Sequence, residues 1–232
     1  MKNSVSSKIA LTALLAGALF LSANSAFAAA KTRTKTRTGT YQNSNGKSGT
    51  FSETTTRSPG ETQRGDTWTT QDGQTGSHES TRTFDKTTGT GTVSSSTALP
   101  NGKSSSRTGT ITKTADHTYE SKGTVTGPNG KTSTYDAVTT KTADGHTTQA
   151  SVTGPNGKQT TVNTTVTKES KGEVERNTTI TGPNGKTEQK DIETKVNPDG
   201  SGTRTVEITK PNGKTETRTQ TFTANPTDSP SK

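Results

Sequence analysis

The residues best suited to chemistry in this chain are basic, and they recur. Pro-Asn-Gly-Lys appears five times, ending in Lys103, Lys131, Lys158, Lys186 and Lys214, and Asn45-Gly46-Lys47 is a sixth, shorter copy. A seventh position, after Asp72-Gly73, carries Gln74 instead. If these turns share one edge of a sheet, the lysines form a row with roughly 10 Å between neighbours, two strand spacings. Such a comb suits polyanions, namely anionic polysaccharide, lipid head groups or nucleic acid. The plainer reading is solvated turn chemistry. A second basic group is Lys31, Arg33, Lys35 and Arg37, alternating with threonine. On a strand, these four charges share a face. They read either as a polyanion-binding arm or as a charged edge strand that blocks sheet-to-sheet pairing.

Other chemistry is thin. His78, His117 and His146 are the only histidines. His117 and His146 fall near turns and read as exposed turn residues. No phosphate loop, paired-carboxylate site or Cys/His cluster is present, and a Ser or Thr hydroxyl without a base and an oxyanion hole is not a nucleophile. No catalytic, cofactor or metal site is expected, and no specific nucleic-acid motif, since that would want aromatics interleaved with the charge. Tyr41, Phe51, Trp68 and Phe84 place most of the aromatics in the first half, either to stack on sugars or to pack that end.

The elements that position these residues follow from a repeat. Asn-Gly or Asp-Gly places its glycine at 46, 73, 102, 130, 157, 185 and 213, intervals of 27 to 29 residues. A fixed period of this length marks a repeat architecture. Roughly midway lie second turn signals: Ser58-Pro59-Gly60, Thr87-Thr88-Gly89, Asp116-His117, Asp144-Gly145, Lys171-Gly172 and Pro198-Asp199-Gly200. The segments between are Thr-rich and β-branched, with alternating character, as in Val162-Asn163-Thr164-Thr165-Val166. That is the pattern of half-buried strands joined by hairpins. The expected fold is all-β: an antiparallel hairpin meander of up to 14 strands, about 28 residues per two-strand repeat, in a single-layer or gently rolled sheet. A disordered Thr-rich chain is the compositional alternative.

Register decides against disorder. Pro-Asn-Gly suits a three-residue loop, with Pro and Asn in a type I turn and Gly in the left-handed region at a G1 bulge. Ala150 then faces Val162, with Val152 on their side. The same loop unites Val174, Ile180, Ile192 and Val196. It also unites Val206, Ile208 and Phe222, then Tyr119, Val125, Tyr135 and Ala137, and finally Val93, Leu99 and Ile111. Val138 is the one dissenter. A disordered chain has no reason to keep so few apolar residues in phase. Left half in water, this face invites a second copy or another envelope component.

Composition sets the limits. The 232 residues carry a net charge of +9, a mean hydropathy of −0.99 and no cysteine. Beyond residue 28 there are only 17 Leu, Ile, Val or Phe. That is too little for an enzyme-sized core. An outer-membrane barrel is not expected, because its lipid face needs a continuous apolar band. Thr-x-Thr, as in Thr108-Gly109-Thr110, resembles the ice-facing arrays of β-solenoid ice-binding proteins over the tripeptide alone; Lys, Arg, Glu and Gln interrupt it here. At the start, Lys2 and Lys8, the apolar run Ile9 to Leu21 and Ala26-Phe27-Ala28 read as a cleaved signal peptide. The chain thus divides into a signal peptide at 1–28, a basic Thr-rich segment or edge strand at 29–40, a β-hairpin repeat domain at 41–223 and a disordered tail at 224–232. The expectation is an exported protein, periplasmic or extracellular, without an enzymatic role. It would act as a scaffold, adhesive or self-assembling sheet of the bacterial envelope or matrix. The alternative is a polyanion- or glycan-binding module that uses the basic turn edge.

Overall fold

Threonine and other β-branched side chains at alternating positions, punctuated by tight turns most of which hold a glycine at positive φ, give strands and no helix among the described residues. The computed structural model describes residues 31–224. The signal peptide expected at 1–28 lies outside them, as does the tail beyond 224. Fourteen strands follow in order: β1 Arg33–Asn43, β2 Ser48–Ser58, β3 Glu61–Thr70, β4 Thr75–Thr83, β5 Thr90–Ala98, β6 Ser104–Ala115, β7 Thr118–Thr126, β8 Thr132–Lys141, β9 Gly145–Thr153, β10 Gln159–Ser170, β11 Glu173–Thr181, β12 Thr187–Val196, β13 Gly202–Thr209 and β14 Thr215–Ala224. Each pairs antiparallel with its neighbours in sequence, so the all-β hairpin meander is the fold.

The sheet is not open, however. β1 also pairs with β14, from Arg37 opposite Ala224 to Asn43 opposite Arg218, and the meander closes into a barrel. Strand twist accumulates around a long sheet and brings its two edges together. Closure pairs the two edge strands from Arg37 to Asn43 and leaves Arg33–Thr36 as a short edge among the described strands. Part of the segment expected at 29–40 as an arm or edge strand, from Arg37 on, is drawn into the closing seam. From Arg33 the segment is β1, paired with β2 from Arg33 to Gln42 and with β14 from Arg37 to Asn43, so among the described residues Arg33–Thr36 pair with β2 alone.

The loops have the expected form. In the Pro155-Asn156-Gly157 turn, Gly154 N donates to Lys158 O and Gly157 N donates to Gly154 O, at 2.8 and 2.9 Å. Gly157 sits at φ +72° and Gly185 at φ +74°, in the left-handed region that glycine enters without strain. The Asn156 side chain accepts from Lys158 N and fixes the turn. The register follows: Val162 faces Ala150 and Ile180, and Ile192 faces Val206.

One wall of the barrel holds the apolar residues, and it is the inner one. Val125, Tyr135, Ala137, Ala150, Val152, Val162 and Ile180 form one buried cluster. Phe84 and Ile111 form a second, with Val93 and Tyr119 against it. The face expected to lie half in water is thus largely covered by closure. Val138, the dissenter, points outward and is 43% exposed.

The outer wall is threonine and serine with scattered carboxylates. Thr34 bonds Thr56, Thr36 bonds Thr54 and Thr40 bonds Thr221 through their hydroxyls. The last of these pairs ties β1 to β14. Such cross-strand pairs contribute roughly 0.2–1 kcal/mol each. Around them, the outward positions of the described strands are mostly Thr, Ser and charged residues.

Candidate functional site: a basic interior and a lysine rim

Directly opposed residues in an antiparallel pair point to the same face, so register assigns every charge to a wall. Arg82 opposes Val93, Arg107 opposes Val125, Arg176 opposes Ile192 and Arg218 opposes Val206. Arg37 opposes Glu53, Arg64 opposes Ser80, Arg204 opposes Gln220 and Arg33 opposes Arg57. By alternation along each strand, all nine arginines of the chain belong to the inner wall. Arg33 and Arg57 stand exposed at its mouth. Lys35, Lys113, Lys141, Lys168 and Lys190 share that face too. Four carboxylates share that wall: Glu53, Asp66, Glu188 and Glu216. The outer wall has the reverse balance. Its lysines are Lys122, held between Glu120 and Asp136, and Lys195, held between Glu173 and Glu193.

A guanidinium tolerates this interior because its flat face packs on rings. Arg107 lies 4.2 Å from the Tyr135 ring centre, Arg218 4.2 Å from that of Tyr41, and Arg37 4.8 Å from that of Phe222. Arg64 is the best paired. Its Nε meets both Asp66 oxygens at 3.0 and 2.9 Å, and its Nη2 meets Glu53 at 2.9 Å. Burial would lower its pKa, but Glu53 and Asp66 together outweigh that and raise it. Elsewhere burial wins. It lowers Arg176 to about 9, with Arg204 and Arg64 adding repulsion, and Arg82 to about 10. It also lowers Arg107, Arg204, Arg218 and Lys190. Nε of Arg37 and of Arg218 and one terminal nitrogen of Arg107 are buried without a hydrogen-bond partner.

Within this interior, residues of β2, β3, β13 and β14 line a half-open cavity of about 230 Å³. Phe51 and Trp68, cross-strand neighbours, supply its aromatic side. Glu53, Arg64, Asp66, Arg204, Arg218 and Gln220 supply its polar side. Arg204 Nη1 stands 3.8 Å from Glu53 across the intervening β14 and β1, so the site exists only because the barrel is closed.

The lysine row becomes a ring. The turns after β1, β3, β5, β7, β9, β11 and β13 all lie on one rim. Lys47, Lys103, Lys131, Lys158, Lys186 and Lys214 are exposed there, with Gln74 at the seventh turn. In the five Pro-Asn-Gly-Lys copies, the asparagine side chain accepts from the lysine backbone N–H, so each lysine leaves an identical frame. Lys31 precedes β1 at the opposite rim, and Lys35 and Arg37 point inward. The two basic groups therefore do not combine into one surface.

The histidines divide. His117 is the exposed turn residue expected, at φ +58° beside Asp116. His146 is not: it is 5% exposed, opposite Val166 on the inner wall. Burial, then the neighbouring charges of Arg176, Arg82 and Lys141, push its pKa down to about 4. His78 is also inside, with Nδ1 2.8 Å from Thr97 Oγ1. The arginine wall was missed at the sequence level. The signal was present: Arg176 has the parity of Ile180, Arg204 of Val206 and Arg107 of Ile111. Comparison with protein-family models, curated proteins and solved structures finds no match.

Proposed function

We propose that the chain is an exported, non-enzymatic protein of the bacterial envelope or extracellular matrix that engages anionic polymers through its lysine rim. The observation that carries this reading is the ring of six exposed lysines on one end of a closed barrel. Neighbouring lysines stand on alternate hairpins, roughly 10 Å apart, a spacing that lets one flexible polyanion meet several in succession. The rigid turn frames reduce the ordering cost of each contact.

The test is retention on an immobilised anionic polysaccharide. Wild-type protein should bind in low salt and elute by ~0.5 M salt. The variant with Lys103, Lys131, Lys158, Lys186 and Lys214 all changed to Gln should elute earlier, with a flatter salt dependence. Unchanged elution returns these lysines to ordinary turn solvation.

A scaffold or adhesive role is the second reading. It is supported by the threonine ladders of the outer wall, which stiffen the barrel strand to strand. A self-assembling sheet is less favoured, because the described strands keep only the short edge Arg33–Thr36 and the apolar face is turned inward. Filaments formed by the purified protein would restore it.

A further inference from the structure

We propose that the cavity between Phe51, Trp68, Arg204 and Arg218 binds a small ring-shaped carboxylate, of the class of a hexuronate sugar. Charge is the first argument. Arg64, Arg204 and Arg218 face Glu53 and Asp66, three cations against two anions. Arg64 pairs with both carboxylates at 2.9 Å and leaves them acceptor capacity. Arg204 is left with Glu53 at 3.8 Å and Thr194 Oγ1 at 3.4 Å. Arg218 keeps a buried Nε without a hydrogen-bond partner. The lining is net positive, and Arg37, directly opposite Glu53, adds to that excess; an anionic group is favoured, and a guanidinium fork is built to hold a carboxylate.

Shape is the second argument. Two adjoining aromatic side chains favour a ring with C–H faces. At about 230 Å³ the cavity is smaller than the roughly 300–1,000 Å³ of sites for drug-sized ligands and suits a single ring. The polar lining is the third. Glu53, Asp66 and Gln220 offer acceptors, which hydroxyl groups on a sugar use and a plain aromatic acid does not. Access is open: the Arg64 and Arg204 side chains are 33% and 26% exposed.

Trp68 is the only tryptophan, so its fluorescence reports this cavity alone. The experiment titrates full-length mature protein with sodium glucuronate at fixed ionic strength. Glucose serves as the neutral ring, benzoate as the ring acid without hydroxyls and acetate as the bare carboxylate. A saturable change below about 10 mM glucuronate is expected, with the three controls at least about tenfold weaker. Arg218→Gln, shown folded by circular dichroism, should lose the response. The five-lysine rim variant should keep it, which separates this site from the rim. No saturable response to glucuronate overturns the proposal, as does an equal response to glucose, benzoate or acetate. Loss of the response in the rim variant overturns the placement of the site. If Arg218→Gln does not fold, calorimetry of the wild type with the same four compounds decides the matter by the same criteria.

Discussion

Trp68 lies over Gly76, its cross-strand partner on β4, so closely that a Cβ on residue 76 would stand 2.3 Å from two carbons of the indole. Glycine is what lets the largest side chain of the chain lie down inside the wall. Gly76→Ala should push the indole aside, shift its emission and cost about 1–3 kcal/mol. Gly65→Ala is the control, since a Cβ there meets nothing within 4 Å and the backbone needs no positive φ. It should be neutral or mildly stabilising in a urea melt.

The turn glycines act through conformation alone. A Cβ on Gly185 meets nothing within 4 Å, yet φ is +74°. Gly185→Val should therefore cost about 1–2 kcal/mol purely from the left-handed backbone. Asn184→Asp should be mild, because a carboxylate still accepts from Lys186 N. Denaturation midpoints of both variants check this.

The two walls should respond oppositely to the same change. Val162→Lys puts an ammonium where the side chain is 1% exposed and should cost at least about 3 kcal/mol. Val138→Lys, on the outer wall, should stay within about 0.5 kcal/mol. Comparable losses at both sites would contradict the assignment of inside and outside.

Acid should loosen the barrel through His146. Its folded pKa, about 4, lies below the unfolded value near 6.5. The stability tied to the neutral ring is therefore present above pH ~6.5 and is lost as pH falls toward 4. Buried beside Arg176, Arg82 and Lys141, the group contributes on the order of 2 kcal/mol across that window. His78 is shifted the same way and Asp66 the opposite way, so the diagnostic is a difference. His146→Gln should flatten the slope of stability between pH 6.5 and 4 relative to wild type.

Much of this fold was legible because turn chemistry and parity are local. Asn184-Gly185 fixes a loop, the loop fixes a register, and the register puts Ile180 and Ile192 on one wall. Closure was not legible. β1 and β14 are joined by no turn, and their pairing is decided by twist summed over the sheet. His146 was misplaced because proximity to Asp144-Gly145 suggested exposure, whereas one residue into β9 the chain already turns it inward. The basic interior was hidden for a different reason. Arginine in a sparse apolar stripe looks like a charge on a solvated face until the stripe becomes the inside of a barrel.

The barrel depends on β1 closing on β14, and a disulfide across that seam tests it directly. The chain contains no cysteine, so two can be introduced on a clean background. Thr40 and Thr221 are paired across the closing seam, with hydroxyls 3.1 Å apart on the outer wall. Thr40→Cys with Thr221→Cys should oxidise within one molecule, giving a monomer of faster non-reducing mobility that reverts on reduction. Failure to cross-link, or cross-links only between molecules, would show an open sheet and contradict the closed barrel.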